Sequence, residues 1–162
     1  MSRRAWFVFL AVLFFSLGLD QGSKAWARGN LPLDRAQPVV DGWWDWELVE
    51  NPGAAFSSFQ AGDARLLLEG LAVVAVAGIV AMAARTRRDQ AVLRVGYALT
   101  AGGALGNLVD RFRDGAVTDF VRWRAHAHMW PVFNVADALL VIGVALIMVD
   151  GVVFSRRRAP AV

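Results

Sequence analysis

At 162 residues, 57% hydrophobic and with a mean hydropathy of +0.44, the chain is too apolar for an ordinary water-soluble domain and is expected to be an integral membrane protein. Its formal net charge is +3 and it has no cysteine, which excludes disulfides, a thiol nucleophile, a thiolate metal site and lipidation on cysteine.

In chain order, the first apolar run is AWFVFLAVLFFSLGL, residues 5–19, preceded by Arg3 and Arg4. It reaches the roughly 20 residues of a bilayer crossing if its helix continues through DQGSKAWA, which has no proline. The arginines, the apolar core and the AWA tripeptide also fit a cleaved signal peptide, and SRRAWF loosely resembles a twin-arginine signal. Asp20 and Lys24 stand ahead of AWA and three more runs follow, so a retained span is the simpler reading. The next connection contains GWWDWELVENPGAAFSSF. Its alternation sets Trp44, Trp46 and Leu48 on one side of a strand and Asp45, Glu47 and Val49 on the other. A turn is expected at Asn51-Pro52-Gly53, with a second strand as an option beyond it. Trp43, Trp44 and Trp46 suit a membrane–water interface, whether as plain anchors or beside a substrate. Residues 41–64 are expected to rest on the membrane surface and to open when substrate enters.

The second run is LLLEGLAVVAVAGIVAMAA, residues 66–84, and the third is AVLRVGYALTAGGALGNLV, residues 91–109; Arg85, Arg87 and Arg88 lie between them. The fourth, VADALLVIGVALIMVDGVVF, covers 135–154, and Arg156, Arg157 and Arg158 follow it. The expected fold class is an all-α membrane protein: four transmembrane helices, about 5–27, 66–84, 91–109 and 135–154, with a small β-containing extracytoplasmic segment. The whole of 1–162 reads as one domain, and no internal repeat is visible. Basic residues beside the spans place both termini and the 85–88 connection in the cytoplasm, and connections 28–65 and 110–134 outside.

The span centres carry no ionisable residue. Polar groups gather instead at the outward ends: Asp20 and Lys24, then Asn107, Asp110 and Arg111, then Asn134 and Asp137. Helix ends at one membrane surface converge in space, so this is a candidate site at interfacial depth; a transporter would more often hold charges near the midplane. Each group also has a plain structural reading. Asp20 and Lys24 fit a surface ion pair at i, i+4. Asp110 and Arg111 fit a span terminus meeting water. Asn134 and Asp137 approach a capping box. Asp119 fits an ordinary loop acid. His126 and His128 would share a strand face, but with no third ligand nearby a zinc site is poorly supported. Two carboxylates sharing a site, however, cannot both ionise cheaply, so one holds a proton while the other is a base. Asp119 and Asp137 would form such a dyad if they meet, which spacing does not establish. A small transporter or channel, and a non-enzymatic lipid-binding factor, are the rival classes.

Five stretches in order, DQGSK (20–24), ENPGAAF (50–56), GGALGNLVDR (102–111), GAVTDF (115–120) and FNVAD (133–137), resemble the motifs of the lipoprotein signal peptidases, the type II signal peptidases of bacterial inner membranes. The resemblance covers almost the whole chain. It implies a four-span aspartic endopeptidase of the cytoplasmic membrane, its site toward the outer face. It further implies that the enzyme acts on diacylglyceryl-prolipoproteins, cleaves before the lipidated cysteine, and is inhibited by cyclic peptides such as globomycin. By motif, Asp119 and Asp137 are the catalytic pair, and Asp20, Lys24, Asn51, Gly53, Asn107, Asp110, Arg111 and Asn134 bind substrate or support the site. Membrane phospholipid is an expected partner, with no cofactor, metal or nucleic acid, and the chain is expected to be a monomer.

Overall fold

The structure is a computed structural model that describes residues 1–53, 61–125 and 128–154, the side chains of 61–65, 68 and 154 excepted. Helix α1, Arg3–Asn30, starts where the Ser2 hydroxyl accepts the Ala5 N–H and runs unbroken through the polar DQGSK stretch. Its buried face is one stripe, Ala5, Phe9, Leu13, Ser16, Asp20, Lys24 and Ala27. Steps of three and four keep these residues on one side of a helix. Along that stripe the chemistry changes from hydrocarbon to ion pair.

Helix α2 is Ala61–Ala84 and α3 is Ala91–Asp114, closed by Gly115 in the left-handed region (φ 79°). Helix α4, Val135–Val149, continues into a π-helical turn, Asp150–Phe154. Three helices, Arg3–Asn30, Ala91–Asp114 and Val135–Val153, are long and apolar enough to cross a membrane; the apolar part of α2 among the described residues, Glu69–Ala84, is shorter. The protein is thus a multi-pass membrane protein, with three such helices among the described residues where four were expected. Helix α3 also overruns its expected end at 109, because Asp110 is buried and paired with Lys24 rather than ending the helix in water.

Helix α3 is the hub, packing on α1, α2 and α4. Small residues let the backbones approach. A Cβ at Gly102 would stand 2.9 Å from the Leu13 carbonyl oxygen of α1, and one at Gly103 would stand 2.5 Å from the Ala136 carbonyl oxygen of α4. Phe9, Leu13, Ala83, Ala98 and Ala101 fill the core between α1, α2 and α3.

The two longer connections build one antiparallel sheet of order β1-β2-β3-β4: β1 Gln37–Val40, β2 Trp44–Asn51, β3 Val117–Ala125 and β4 His128–Met129. The expected strand is therefore β2. Trp46 and Leu48 pack with Ala27, Leu31 and Phe120, fastening the sheet to the end of α1. The opposite side of β2 is covered as well: Asp45 and Glu47 are buried, Asp45 held at 2.9 Å by Arg124 and Glu47 paired with Arg122. Trp43 is exposed, but Trp46 is more than a surface anchor, since its ring meets Trp26 at 5.2 Å and Phe120 at 5.9 Å. The optional second strand after Gly53, most of the turn half of 41–64, and His126 lie outside the described residues.

Candidate active site

Five elements, α1, β2, α3, β3 and α4, meet at the sheet end of the helices. Helix α1 supplies Asp20 and Lys24, both fully buried. A buried charge survives only if paired and hydrogen-bonded, and Lys24 is: its Nζ lies 3.0 Å from Asp20 Oδ2, 2.9 Å from Asp110 Oδ2 and 2.8 Å from Asn107 Oδ1. The three donors of the ammonium thus face three acceptors. The pair at 20 and 24 is therefore not a surface ion pair, and Asp110, fully buried, is not a terminus meeting water. Asp20 Oδ1 accepts the Ala136 N–H at 2.9 Å, so a carboxylate of α1 meets the positive N-terminus of α4.

At that N-terminus, Asn134 and Asp137 form a complete capping box: Asn134 Oδ1 accepts the Asp137 N–H at 3.1 Å, and Asp137 Oδ2 accepts the Asn134 N–H at 3.2 Å. The capping reading holds, and each residue still has polar atoms to spare for partners on other elements. Asn134 Nδ2 donates to Asp119 Oδ1 at 2.6 Å and to Asn107 Oδ1 at 3.2 Å. Asn107 Nδ2 donates to Asp137 Oδ1 at 2.8 Å. One asparagine therefore touches both Asp119 and Asp137.

Asp119 arrives from β3. Its neighbour Thr118 has its N–H on Asp110 Oδ2 at 3.2 Å, which ties the strand to α3. Across the sheet β2 brings Asn51, whose Nδ2 donates to Asp119 Oδ2 at 2.9 Å while its Oδ1 accepts the Gly53 N–H at 2.9 Å. Gly53 has φ 91°, a conformation that favours glycine and lets the turn close on Asn51. All four oxygens of the two carboxylates thus receive N–H donors. Asp119 is 3% exposed. Burial pushes its carboxyl up to about 6, with the Asp137 charge adding to the rise and the amides of Asn51 and Asn134, and more weakly Lys24, opposing it.

Asp137 is half-buried and stands at the head of an apolar groove of 460 Å³, walled by Trp123, Trp130 and Phe133 and running along α4 past Val141 and Ile142. A carboxylate pair at the head of an apolar groove can activate water.

Eight of the ten expected residues, Asp119 and Asp137 included, come together in one hydrogen-bonded network, with Gly53 at its rim through Asn51. Arg111 stands half-buried in the last turn of α3, beside Asp110 in the chain. Two members went unnamed in the sequence reading. Gln21 Nε2 reaches both Asp20 Oδ2 (3.1 Å) and Asp110 Oδ1 (3.0 Å), and Arg28 Nη1 donates to Thr118 Oγ1 at 2.8 Å. Arg28 was legible as the next i+4 step after Asp20 and Lys24. His128 is exposed on β4, and among the described residues no group of three or more His, Cys, Asp or Glu could hold a metal ion.

A family model described as signal peptidase (SPase) II matches residues 12–153. A lipoprotein signal peptidase of Xanthomonas campestris pv. campestris (strain 8004) is 42% identical over 150 residues, covering 90% of this chain and 88% of that protein. One from Geobacter sulfurreducens is 40% identical over 154 residues, covering 94% and 96%. A solved structure described as a bacterial membrane enzyme superposes with a TM-score of 0.82 at 23% identity, covering 90% of this chain and 93% of that one.

Proposed function

Because the chain belongs to the signal peptidase II family, we propose that it removes the signal peptide from diacylglyceryl-modified prolipoproteins, cutting before the lipidated cysteine, with Asp119 and Asp137 as a metal-free aspartic dyad. The observation that carries this reading is Asn134: its side-chain Nδ2 donates to the Asp119 carboxylate and its backbone N–H donates to the Asp137 carboxylate, so one residue holds two carboxylates from different elements.

Water sits between the carboxylates. Asp137, facing the donors Asn107 and Asn134, takes a water proton as the oxygen attacks the scissile carbonyl. Asp119, whose burial favours the neutral acid, gives its proton to the carbonyl oxygen as negative charge develops there. The tetrahedral intermediate then collapses: the carbonyl re-forms, the C–N bond breaks, and the proton gathered by Asp137 goes to the leaving amine. The proton from the re-forming carbonyl returns to Asp119, so the dyad is regenerated. The apolar groove that starts at Asp137 suits the hydrophobic side of such a substrate. Four spans, α2 included, would set Arg3, Arg4, Arg85, Arg87 and Arg88 in the cytoplasm and the sheet with the dyad at the outer face of the bacterial inner membrane. Arg111 would orient substrate at the rim, cyclic peptides such as globomycin would compete for the groove, and the enzyme would act as a monomer among phospholipids.

Purified protein and a diacylated precursor test this on a gel. Asp119→Asn and Asp137→Asn should each lower the rate at least about 100-fold in a folded, membrane-inserted protein, and chelators should leave wild type untouched. Near-normal turnover by either variant removes that residue from catalysis, and chelator inhibition relieved by zinc would replace the dyad with a metal. No release of signal peptide by wild type would favour a lipid-binding factor instead.

A further inference from the structure

Lys24 is the one fully buried cation in the network, and on charge alone it would be a counterion for Asp20 and Asp110. Its third contact is not explained that way. Asn107 is neutral, and its oxygen lies 2.8 Å from Lys24 Nζ, the shortest of the three contacts.

An asparagine amide has two ends of opposite polarity, and rotation by half a turn exchanges them. Asn107 has Lys24 on one side and Asp137 on the other. Lysine only donates and a carboxylate only accepts, so one orientation makes both contacts and the other makes neither. In the reversed orientation an NH2 group would meet an ammonium, and a carbonyl oxygen would meet a carboxylate oxygen. Asn134 adds to the constraint. Its own oxygen is committed to the Asp137 N–H, so its NH2 must face Asn107 Oδ1 and Asp119.

We propose that Lys24 is a positioning residue for the dyad: by holding Asn107 Oδ1 it fixes which end of that amide faces Asp137, and so ensures that the base sees an N–H donor. This rests on the dyad reading above. Lys24 touches neither carboxylate of the dyad within hydrogen-bond distance; it acts through Asn107.

Two variants separate orientation from charge balance. In Lys24→Met/Asp110→Asn the cation and one of its two carboxylates are removed together, which keeps the net charge of the cluster at minus one. If Lys24 orients Asn107, this variant should keep its fold by circular dichroism and melting. Its kcat should fall at least about tenfold with KM within about twofold, because misplacing a catalytic hydrogen bond affects the chemical step. A kcat within about twofold of wild type would mean that Lys24 is a counterion only, and the proposal fails. Asn107→Asp is the second variant. It retains an oxygen for Lys24 and Asn134, so the lysine pair persists, and it replaces the N–H aimed at Asp137 with a carboxylate oxygen, the polarity that the reversed amide would present. It should lose kcat to at least the same degree, and wild-type kcat there would also overturn the proposal, even if the double variant did not fold. Wild type and Asp137→Asn run alongside: failure of wild type to cleave, or cleavage by Asp137→Asn, sinks the dyad reading itself and is distinguishable from failure of the orientation idea.

Discussion

Gly103→Ala adds one methyl group where α3 and α4 touch. The new carbon would lie 2.5 Å from the Ala136 carbonyl oxygen and 3.1 Å from Leu140 Cγ, whereas ordinary contact starts near 3.4 Å. The difference, 3.4 minus 2.5, requires α4 to retreat by about 0.9 Å, since a backbone oxygen cannot rotate away. Overpacking of this kind costs about 1–3 kcal/mol, and replacing a mid-helix glycine by alanine returns about 1 kcal/mol. The net loss of stability is therefore small, about 0–2 kcal/mol. Activity should suffer more. Ala136 adjoins Asp137 and its N–H is held by Asp20, so α4 cannot retreat without carrying Asp137 away from Asn107. A displacement near 1 Å at a catalytic group costs up to about 100-fold in rate. The assay is precursor cleavage followed on a gel, beside thermal unfolding in the same detergent. Gly18→Ala is the control, because nothing lies within 4 Å of a Cβ there; it should leave both readouts intact. Wild-type kcat in Gly103→Ala, with unchanged melting, would refute the argument that α3–α4 spacing sets the dyad.

Two further outcomes follow from the site and the orientation. Asp119, whose folded value of about 6 lies above the ordinary 3.8, contributes stability that is fully present below about pH 4 and is lost as pH rises through about 6. Melting temperature measured from pH 4 to 8 should therefore fall more steeply in wild type than in Asp119→Asn, and parallel curves would contradict the buried neutral acid. Reporter fusions at Gly42 and Ala125 should register outside the cytoplasm and a fusion after Arg88 inside; a cytoplasmic signal at Gly42 would invert the placement of the sheet.

Apolar runs made the helices legible. The α4 capping box and the alternation of β2 are patterns within one turn or one strand, and each appears where expected. What local pattern cannot report is which face another element covers. The i, i+4 spacing of Asp20 and Lys24 is the same on a wet helix and in a buried triad, and only α3 passing over them decides. Asp45 and Glu47 fit a solvent side until Arg122 and Arg124, more than seventy residues on, close over them. The contact of Asn51 with Asp119 spans 68 residues and depends on strand register, with a shift between Trp46 and Val49. Motif resemblance reached the network because it carries such long-range pairings implicitly. It named the members but not their connections, and it passed over Gln21 and Arg28.

The bond from Ala136 N–H to Asp20 joins residues 116 positions apart. Synthesis proceeds from the N-terminus, so Asp20, Lys24 and Asp110 are all made before the helix whose start they receive. A chain still being made has its lysine clamp and Asp119 but not Asp137, the base of the proposed dyad, and Asn134, which donates to Asp119, arrives only three positions before Asp137. On the proposed dyad, competence to cut is withheld until the last helix docks. On the proposed function, chain order alone would keep the enzyme inactive while it inserts among other newly made membrane segments.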